Sequence, residues 1–179
     1  INARPKPHLS VCLMVKDEED SILITLKKVL NCINSLVIYD TGSTDKTLTL
    51  IREWCDTNKV ALHLKEGNFV DFSESRNVLL DFADEVKESE FQLLLDSRDE
   101  LVGSDDLLKL MKDFRDKDDS GAFLVPQKWY SGSINEYFNI RLIRPRHGWR
   151  YKKPVHEFLS REEGKSDVIK MNGYNVQIY

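Results

Sequence analysis

The chain has 179 residues, 41% hydrophobic and 31% charged, which is enough for one domain with a real core and ordinary for a globular protein. Its net charge of −4 argues against a general nucleic-acid coat, and its apolar runs are far short of the roughly 20 residues that cross a bilayer. The start, Ile1 to Pro7, has neither an apolar signal segment nor a methionine, so the chain is expected to be a cytoplasmic fragment of a longer protein that carries further domains.

Leu9 to Val15 is a continuous apolar run, the mark of a strand buried on both faces. Ile22, Leu26, Val29, Leu30 and Ile33 then recur at helical spacing, with acids ahead of them and Lys27-Lys28 later, as the helix dipole prefers. Leu36 to Tyr39 reads as a second strand, Thr44 to about Asp56 as a second helix and Val60 to Leu64 as a third strand. Ser73 to about Val86 is a third helix, Phe91 to Leu95 a fourth strand and Ser104 to about Lys117 a fourth helix. Past Ser120 the alternation stops. Ala122 to Tyr130 and Tyr137 to Ile143 look like a hairpin around Ser131-Gly132-Ser133, weakened by Pro126. The pattern predicts an α/β fold, a mostly parallel sheet flanked by helices, with a more antiparallel C-terminal part. Cys12, Cys32 and Cys55 each sit in an apolar pattern without zinc spacing, and are expected to be buried and reduced.

The chemistry gathers at the ends of the strands. The second strand runs into Asp40-Thr41-Gly42-Ser43-Thr44-Asp45, a sharp polar turn before a helix, which in a parallel sheet lies at the ligand-binding carboxyl edge. Gly42 permits a tight turn and close approach of a ligand, and Ser43, Thr44 or Asp45 can cap the helix. The first strand ends at Lys16-Asp17-Glu18-Glu19 and the fourth at Asp96-Ser97-Arg98-Asp99-Glu100. Carboxylates converging on one edge suit a hard cation such as Mg²⁺ or Mn²⁺. Asp17 to Asp20 are better read as helix caps and solvated turn residues; Asp40 and Asp96 are read as functional.

A second constellation runs from Arg141 to Glu157. Arg141 and Arg144 suit phosphate oxygens, His156 a metal or phosphate, and Glu157 general-base work. Arg146, Arg150, Lys152 and Lys153 read as a solvated basic loop. Binding of a single nucleic-acid strand by this run with Trp149 and Tyr151 is disfavoured in an acidic chain. A nucleotidyltransferase would need a glycine-rich phosphate loop after the first strand, which Val15-Lys16-Asp17-Glu18 lacks.

Four segments in order resemble glycosyltransferase family 2, the Rossmann-like GT-A fold: Cys12 to Glu19, Val37 to Thr47, Asp71 to Asn77, and Arg141 to Arg144 with Val155-His156-Glu157. The closest similarity is to the bacterial and viral branch that builds surface glycans, which for a viral protein implies the host cytoplasm. The resemblance implies one GT-A domain over 1–179, with a nucleotide-binding half over 9–100 and an acceptor-side half over 101–179. It implies inverting transfer of a sugar from a nucleotide diphosphate, most simply a UDP-sugar, to a hydroxyl of a glycan, with Mn²⁺ or Mg²⁺ as cofactor. Asp40 would accept a hydrogen bond from the base. Val15, Lys16 and Glu19 would line the nucleoside pocket beside Gly42. Arg76 would approach base or diphosphate, and Asp96 and Ser97 would sit by the ribose and metal. The family's Asp-x-Asp is altered here. With a one-residue insertion Asp99 is the metal ligand, joined by His156; without a gap Arg98 takes that place. Arg144 would bind phosphate. Glu157 is the expected base, with Asp99 and Glu100 behind it. The alternative is a sugar-nucleotide-binding domain with little or no activity.

Overall fold

A computed structural model describes residues 4–117, 120–154, 156–161 and 167–179. Val155, quoted above with His156 and Glu157, lies outside the described residues. The elements run β1 (Leu9–Val15), α1 (Ile22–Val29), β2 (Ser35–Asp40), α2 (Thr47–Asn58), β3 (Ala61–Glu66), α3 (Phe72–Asp84), β4 (Phe91–Leu94), β5 (Leu101–Val102), α4 (Ser104–Phe114), β6 (Ser120–Tyr130), β7 (Ile134–Ile143), β8 (Trp149–Lys152), β9 (Phe158–Arg161), β10 (Asp167–Lys170) and β11 (Gln177–Ile178). The main sheet has the order β3-β2-β1-β4-β7-β6-β11-β5, with β10 on β6. The pairs β1–β2, β1–β4 and β2–β3 are parallel, whereas β7 is antiparallel to both β4 and β6.

The centre of the sheet is buried on both faces, which is why β1, β2 and β4 read as mostly apolar runs, interrupted only by Ser10, Ser35, Asp40 and Gln92. On one face Leu26 and Val29 of α1, Ile51 and Trp54 of α2, and Leu107, Leu110 and Met111 of α4 close over Leu9, Val11, Leu13 and Leu93. On the other, Leu79, Leu80 and Ala83 of α3 join Trp149 over Cys12, Val37 and Leu94. Chain order reverses between β1 and β4, so the crevice at their carboxyl ends is the topological switch point. The three cysteines are free and buried, and burial pushes their thiols above the ordinary value.

The predicted hairpin exists and is longer than expected, reaching Ile134. Pro126 is accommodated where β6 leaves β10, which pairs with residues 120–124, and before it meets β11 at Gln127. The short strands β5 and β8 to β11 were not foreseen. The ribbon β8–β9 docks on α3 through Asn77, whose Oδ1 accepts the Tyr151 N–H (2.7 Å) and whose Nδ2 donates to the Tyr151 carbonyl (3.0 Å). The basic run is not simply solvated. Arg150 pairs with Asp81 and Asp84 (2.7 and 3.2 Å), and Arg146 donates to the carbonyls of Val86 and Ser89.

Candidate functional site

Two cavities meet at the switch point. The first, about 410 Å³, is lined by Met14, Val15 and Lys16 at the end of β1, Glu18, Thr41, Phe69 and Phe72, and by Arg76, Asp96 and Ser97. The second, about 190 Å³, is lined by Arg76 and Asp96 again, with Tyr137, Asn139, Ile140 and Arg141 of β7, Tyr151, and Glu157 to Leu159. Arg76 and Asp96 are therefore the wall between them, joined at 2.9 Å.

Arg76 projects from the second turn of α3. Its guanidinium stacks on Tyr151 (5.4 Å to the ring centroid) and lies 3.3 Å from Glu157 through Nε. That Nε is buried and makes no aligned hydrogen bond among the described residues, so Glu157 is held by charge rather than by a directed bond. Burial disfavours the Arg76 charge, but Asp96, Tyr151 and Glu157 outweigh it and raise its pKa above the ordinary value. Arg141 is 7% exposed. It donates to the Leu94 carbonyl (3.2 Å), Gln127 Oε1 (2.8 Å) and Asp99 Oδ2 (3.3 Å), and lies 3.6 Å from Asp96; its Nε is buried with no partner among the described residues. Arg141 is the extra residue of a bulge, since Phe123 faces Leu142 and Leu124 faces Ile140. Such a bulge re-aims a side chain, here toward the end of β4.

The loop after β4 is a closed turn. Asp99 N–H donates to the Asp96 carbonyl (3.1 Å), and Asp96 N–H donates to Asp99 Oδ2 (2.8 Å). Arg98 takes left-handed backbone there (φ +80°) and points outward, 75% exposed, with Glu18 3.9 Å away. The turn aims Asp99 inward instead, and burial raises its carboxyl above the ordinary value against the pull of Arg141. Ser97 lines the first cavity, and its hydroxyl is buried without a partner among the described residues. Glu100 and Arg98 border a separate surface hollow with Asp20, Ser21 and Ile24.

The remaining expected site residues divide. Val15, Lys16, Arg76, Asp96, Ser97 and Glu157 come together around the two cavities. Asp40 is 2% exposed, and its carboxylate is committed to its own turn, accepting from Gly42 N–H (3.1 Å), Ser43 N–H (3.0 Å) and Ser43 Oγ (2.5 Å). Its neighbour Thr41 is the residue that lines the cavity. Gly42 has φ +107° and open space around it, so the turn conformation is what calls for glycine. Glu19 accepts from the Lys46 N–H (3.0 Å) ahead of α2, while Glu18 faces the cavity. Asp17 laces the same two loops together, accepting from the Thr44 N–H (2.7 Å). Arg144 is buried over the Phe91 ring (4.3 Å) and donates to the carbonyls of Phe114, Arg115 and Lys117, so its role here is to close α4 against the sheet. His156 is exposed, in left-handed backbone (φ +55°).

A divalent ion was expected at Asp99 and His156. Among the described residues no three His, Cys, Asp or Glu side chains gather to hold one. Asp96 and Asp99 are instead taken up by Arg76 and Arg141. As arranged, an ion would have to displace a guanidinium from Asp96 or Asp99 to reach them. The residue that the expected phosphate set underweighted is Arg141, three positions before Arg144. Its signal was the break in strand alternation, which a single sequence shows poorly.

The sequence profile described as glycosyl transferase family 2 matches residues 10–178, and the chain belongs to that family. It is 28% identical over 155 residues, 84% of its length, to a TPR repeat-containing protein of Synechococcus elongatus, of which it covers 35%. Its fold is similar to that of S. aureus TarS 1-349 in complex with UDP, with a TM-score of 0.56 and 26% identity over 70% of this chain and 37% of that one. The same TarS fragment is known in complex with UDP-GlcNAc. A likeness of fold extends to the mannosyltransferase PcManGT of Pyrobaculum calidifontis in complex with GDP-Man and Mn²⁺, with a TM-score of 0.54 and 21% identity over 68% of this chain and 36% of that one. The chain thus spans about a third of the length of these proteins. Among the described residues no helix is long and apolar enough to cross a membrane.

Proposed function

We propose that this chain is the GT-A domain of an inverting glycosyltransferase that moves a sugar from a nucleoside diphosphate, most simply UDP, to a glycan hydroxyl, in keeping with the surface-glycan branch it resembles. The observation that carries the reading is the pair of cavities sharing the Arg76–Asp96 wall. One suits a nucleotide, the other an acceptor, and an anomeric carbon would lie between them. Residues 9–100 mainly serve the donor and 101–179 mainly the acceptor, with Arg76, Asp96 and Arg141 at the junction of the two cavities.

The chemistry follows from charge. The acceptor oxygen attacks the anomeric carbon as the bond to the diphosphate oxygen breaks, from the opposite face, and configuration inverts. Glu157 takes the hydroxyl proton. The leaving diphosphate gains negative charge, and the partly buried Arg76 and the buried Arg141 are the cations at the junction of the two cavities. Arg76 also faces Glu157. Arrival of the diphosphate would draw that guanidinium away and leave the carboxylate free to accept a proton, which ties the base to an occupied donor site. Ser97 Oγ and Arg141 Nε, buried and without a hydrogen-bond partner among the described residues, supply donors for substrate oxygens. Asp40 and Gly42 act by shaping the turn that presents Thr41.

The test is a nucleotide-sugar screen by thermal shift, followed by a transfer or hydrolysis assay. A nucleotide at 100 times its dissociation constant stabilises the fold by about 2.7 kcal/mol. Stabilisation by a UDP-sugar with turnover supports the reading. Stabilisation without turnover, with or without Mn²⁺, would leave a binding domain, and no response to any nucleotide would sink both.

A further inference from the structure

The outer half of the β6–β7 hairpin carries side chains that no step above uses. The register sets Trp129 opposite Asn135, Gln127 opposite Tyr137 and Val125 opposite Asn139, so Gln127, Trp129, Asn135, Tyr137 and Asn139 share one face. The Trp129 and Tyr137 rings meet edge to face, centroids 5.0 Å apart, yet remain 46% and 42% exposed. Nearly half of each of these two large side chains thus faces solvent, side by side, and a contiguous apolar patch rimmed by polar residues marks a binding groove. This face begins at the second cavity. Tyr137 and Asn139 are part of the cavity wall, and Gln127 holds the Arg141 guanidinium at 2.8 Å. At roughly 3.3 Å per residue, Trp129, level with Asn135, stands roughly 20 Å along β7 from Arg141. One sugar ring cannot cover that reach; a chain of several can.

The chemistry of the face selects its occupant. Aromatic rings offer flat apolar surfaces to the C–H faces of a pyranose, and amides match its hydroxyls in either direction. The five residues carry no charge. The nearby Lys128 and Glu136 lie on the opposite face and are paired with each other at 3.5 Å. A single-stranded nucleic acid would need cations along its backbone, and this face offers none.

Building on the transferase reading, we propose that this face is a binding track for an oligosaccharide acceptor, with the Trp129–Tyr137 pair seating a sugar ring several units away from the hydroxyl that reacts beside Glu157.

Trp129 supplies its own reporter, because Trp54 and Trp149 are 8% and 2% exposed. The whole chain is titrated with maltohexaose and chitohexaose, with glucose and N-acetylglucosamine, with hexathymidylate and with UDP, while tryptophan emission is followed. One hexasaccharide is expected to shift the emission and to bind at least about tenfold more tightly than its monosaccharide, about what one aromatic stacking contact contributes. Calorimetry on Trp129→Ala should show that gain lost with UDP affinity and melting temperature unchanged, and Tyr137→Ala should lose it too. The track is overturned if neither hexasaccharide moves the emission, if Trp129→Ala keeps the gain, or if hexathymidylate binds more tightly than the saccharides. UDP reads the underlying function separately. Saccharide binding without UDP binding removes the transferase and leaves the saccharide face standing.

Discussion

Replacing Arg141 with Met tests the charge arrangement at its centre. Met keeps most of the length and apolar stem and removes the buried guanidinium. Arg141 then no longer faces Asp99 Oδ2 at 3.3 Å or Asp96 at 3.6 Å, and the Leu94 carbonyl and Gln127 Oε1 lose their donor. Breaking a buried pair by removing one partner costs about 3–5 kcal/mol. The cost here is reduced because the Asp96 side chain is 43% exposed and Asp99 can take up a proton, so a loss of about 2–4 kcal/mol at neutral pH is expected. The pH dependence carries the sign. Burial already raises the Asp99 carboxyl above its unfolded value, and losing Arg141 raises it further. A carboxyl whose folded pKa is raised binds more protons folded than unfolded, so stability falls as pH rises from the unfolded to the folded value. Urea unfolding of Arg141→Met should therefore show a larger deficit at pH 7 than at pH 4. Adding Asp99→Asn should recover part of the deficit at pH 7, whereas UDP-sugar affinity and turnover should stay low in the double variant. Stability and turnover both equal to wild type in Arg141→Met would refute the argument, and full recovery of turnover in the double variant would reduce Arg141 to a structural counter-ion.

Glu157→Gln should cost roughly 10²–10⁴ in turnover while UDP binding persists, and near-normal turnover would move the base elsewhere. Chelation with EDTA should leave UDP affinity unchanged by calorimetry, since Arg141 already holds the Asp99 carboxylate expected to bind the ion; tightening by Mn²⁺ of more than about tenfold would restore Asp99 as a ligand. Gly103→Ala should destabilise by well over about 1 kcal/mol in urea, because φ is +88° and the new Cβ would overlap the Asn175 carbonyl; Gly42→Ala, at φ +107° in open space, should cost less. Glu90 is gripped by Arg115 (2.6 and 2.7 Å) and by the His8 N–H (2.8 Å); burial pulls its pKa up, but these bonds win and hold it below the ordinary 4.5. That contribution is present above the unfolded value and lost as pH falls through the folded one, so the deficit of Glu90→Gln in melting temperature should be full at pH 7 and shrink below pH 4.

The parallel half was legible because its physics is local. A strand buried on both faces must be mostly apolar, and Leu9–Val15, apart from Ser10, and Leu36 to Tyr39 within β2 are; a helix over a sheet must repeat at 3.6, and Leu107, Leu110 and Met111 do. The helix and strand types fell into place with boundaries shifted by a few residues. What the sequence hid depends on partners distant in the chain. β5 is two residues long and exists only because β11, over seventy positions later, pairs with it. β8 and β9 are four residues each and are held by the Asn77 side chain, which nothing local announces.

The same distinction sorts the acids. Asp17, Glu19 and Asp40 spend their carboxylates on backbone N–H groups of neighbouring turns, whereas Asp96 and Asp99 spend theirs on guanidinium groups that arrive from α3 and β7. A carboxylate that ends a strand thus carries two meanings in sequence, and the one that applies is set by whether a cation reaches it from elsewhere. In sequence, Asp40 and Asp96 both close an apolar run, although in the fold Asp40 is the last residue of β2 and Asp96 lies two residues beyond β4. Only Asp96 lies where β7 runs antiparallel past the end of β4, and only there can a bulged arginine reach it. The reversal of chain order that opens a crevice between β1 and β4 also brings β7 to its rim. The two cavities consequently share one ion pair, Arg76–Asp96, and a change at that pair should be felt in both.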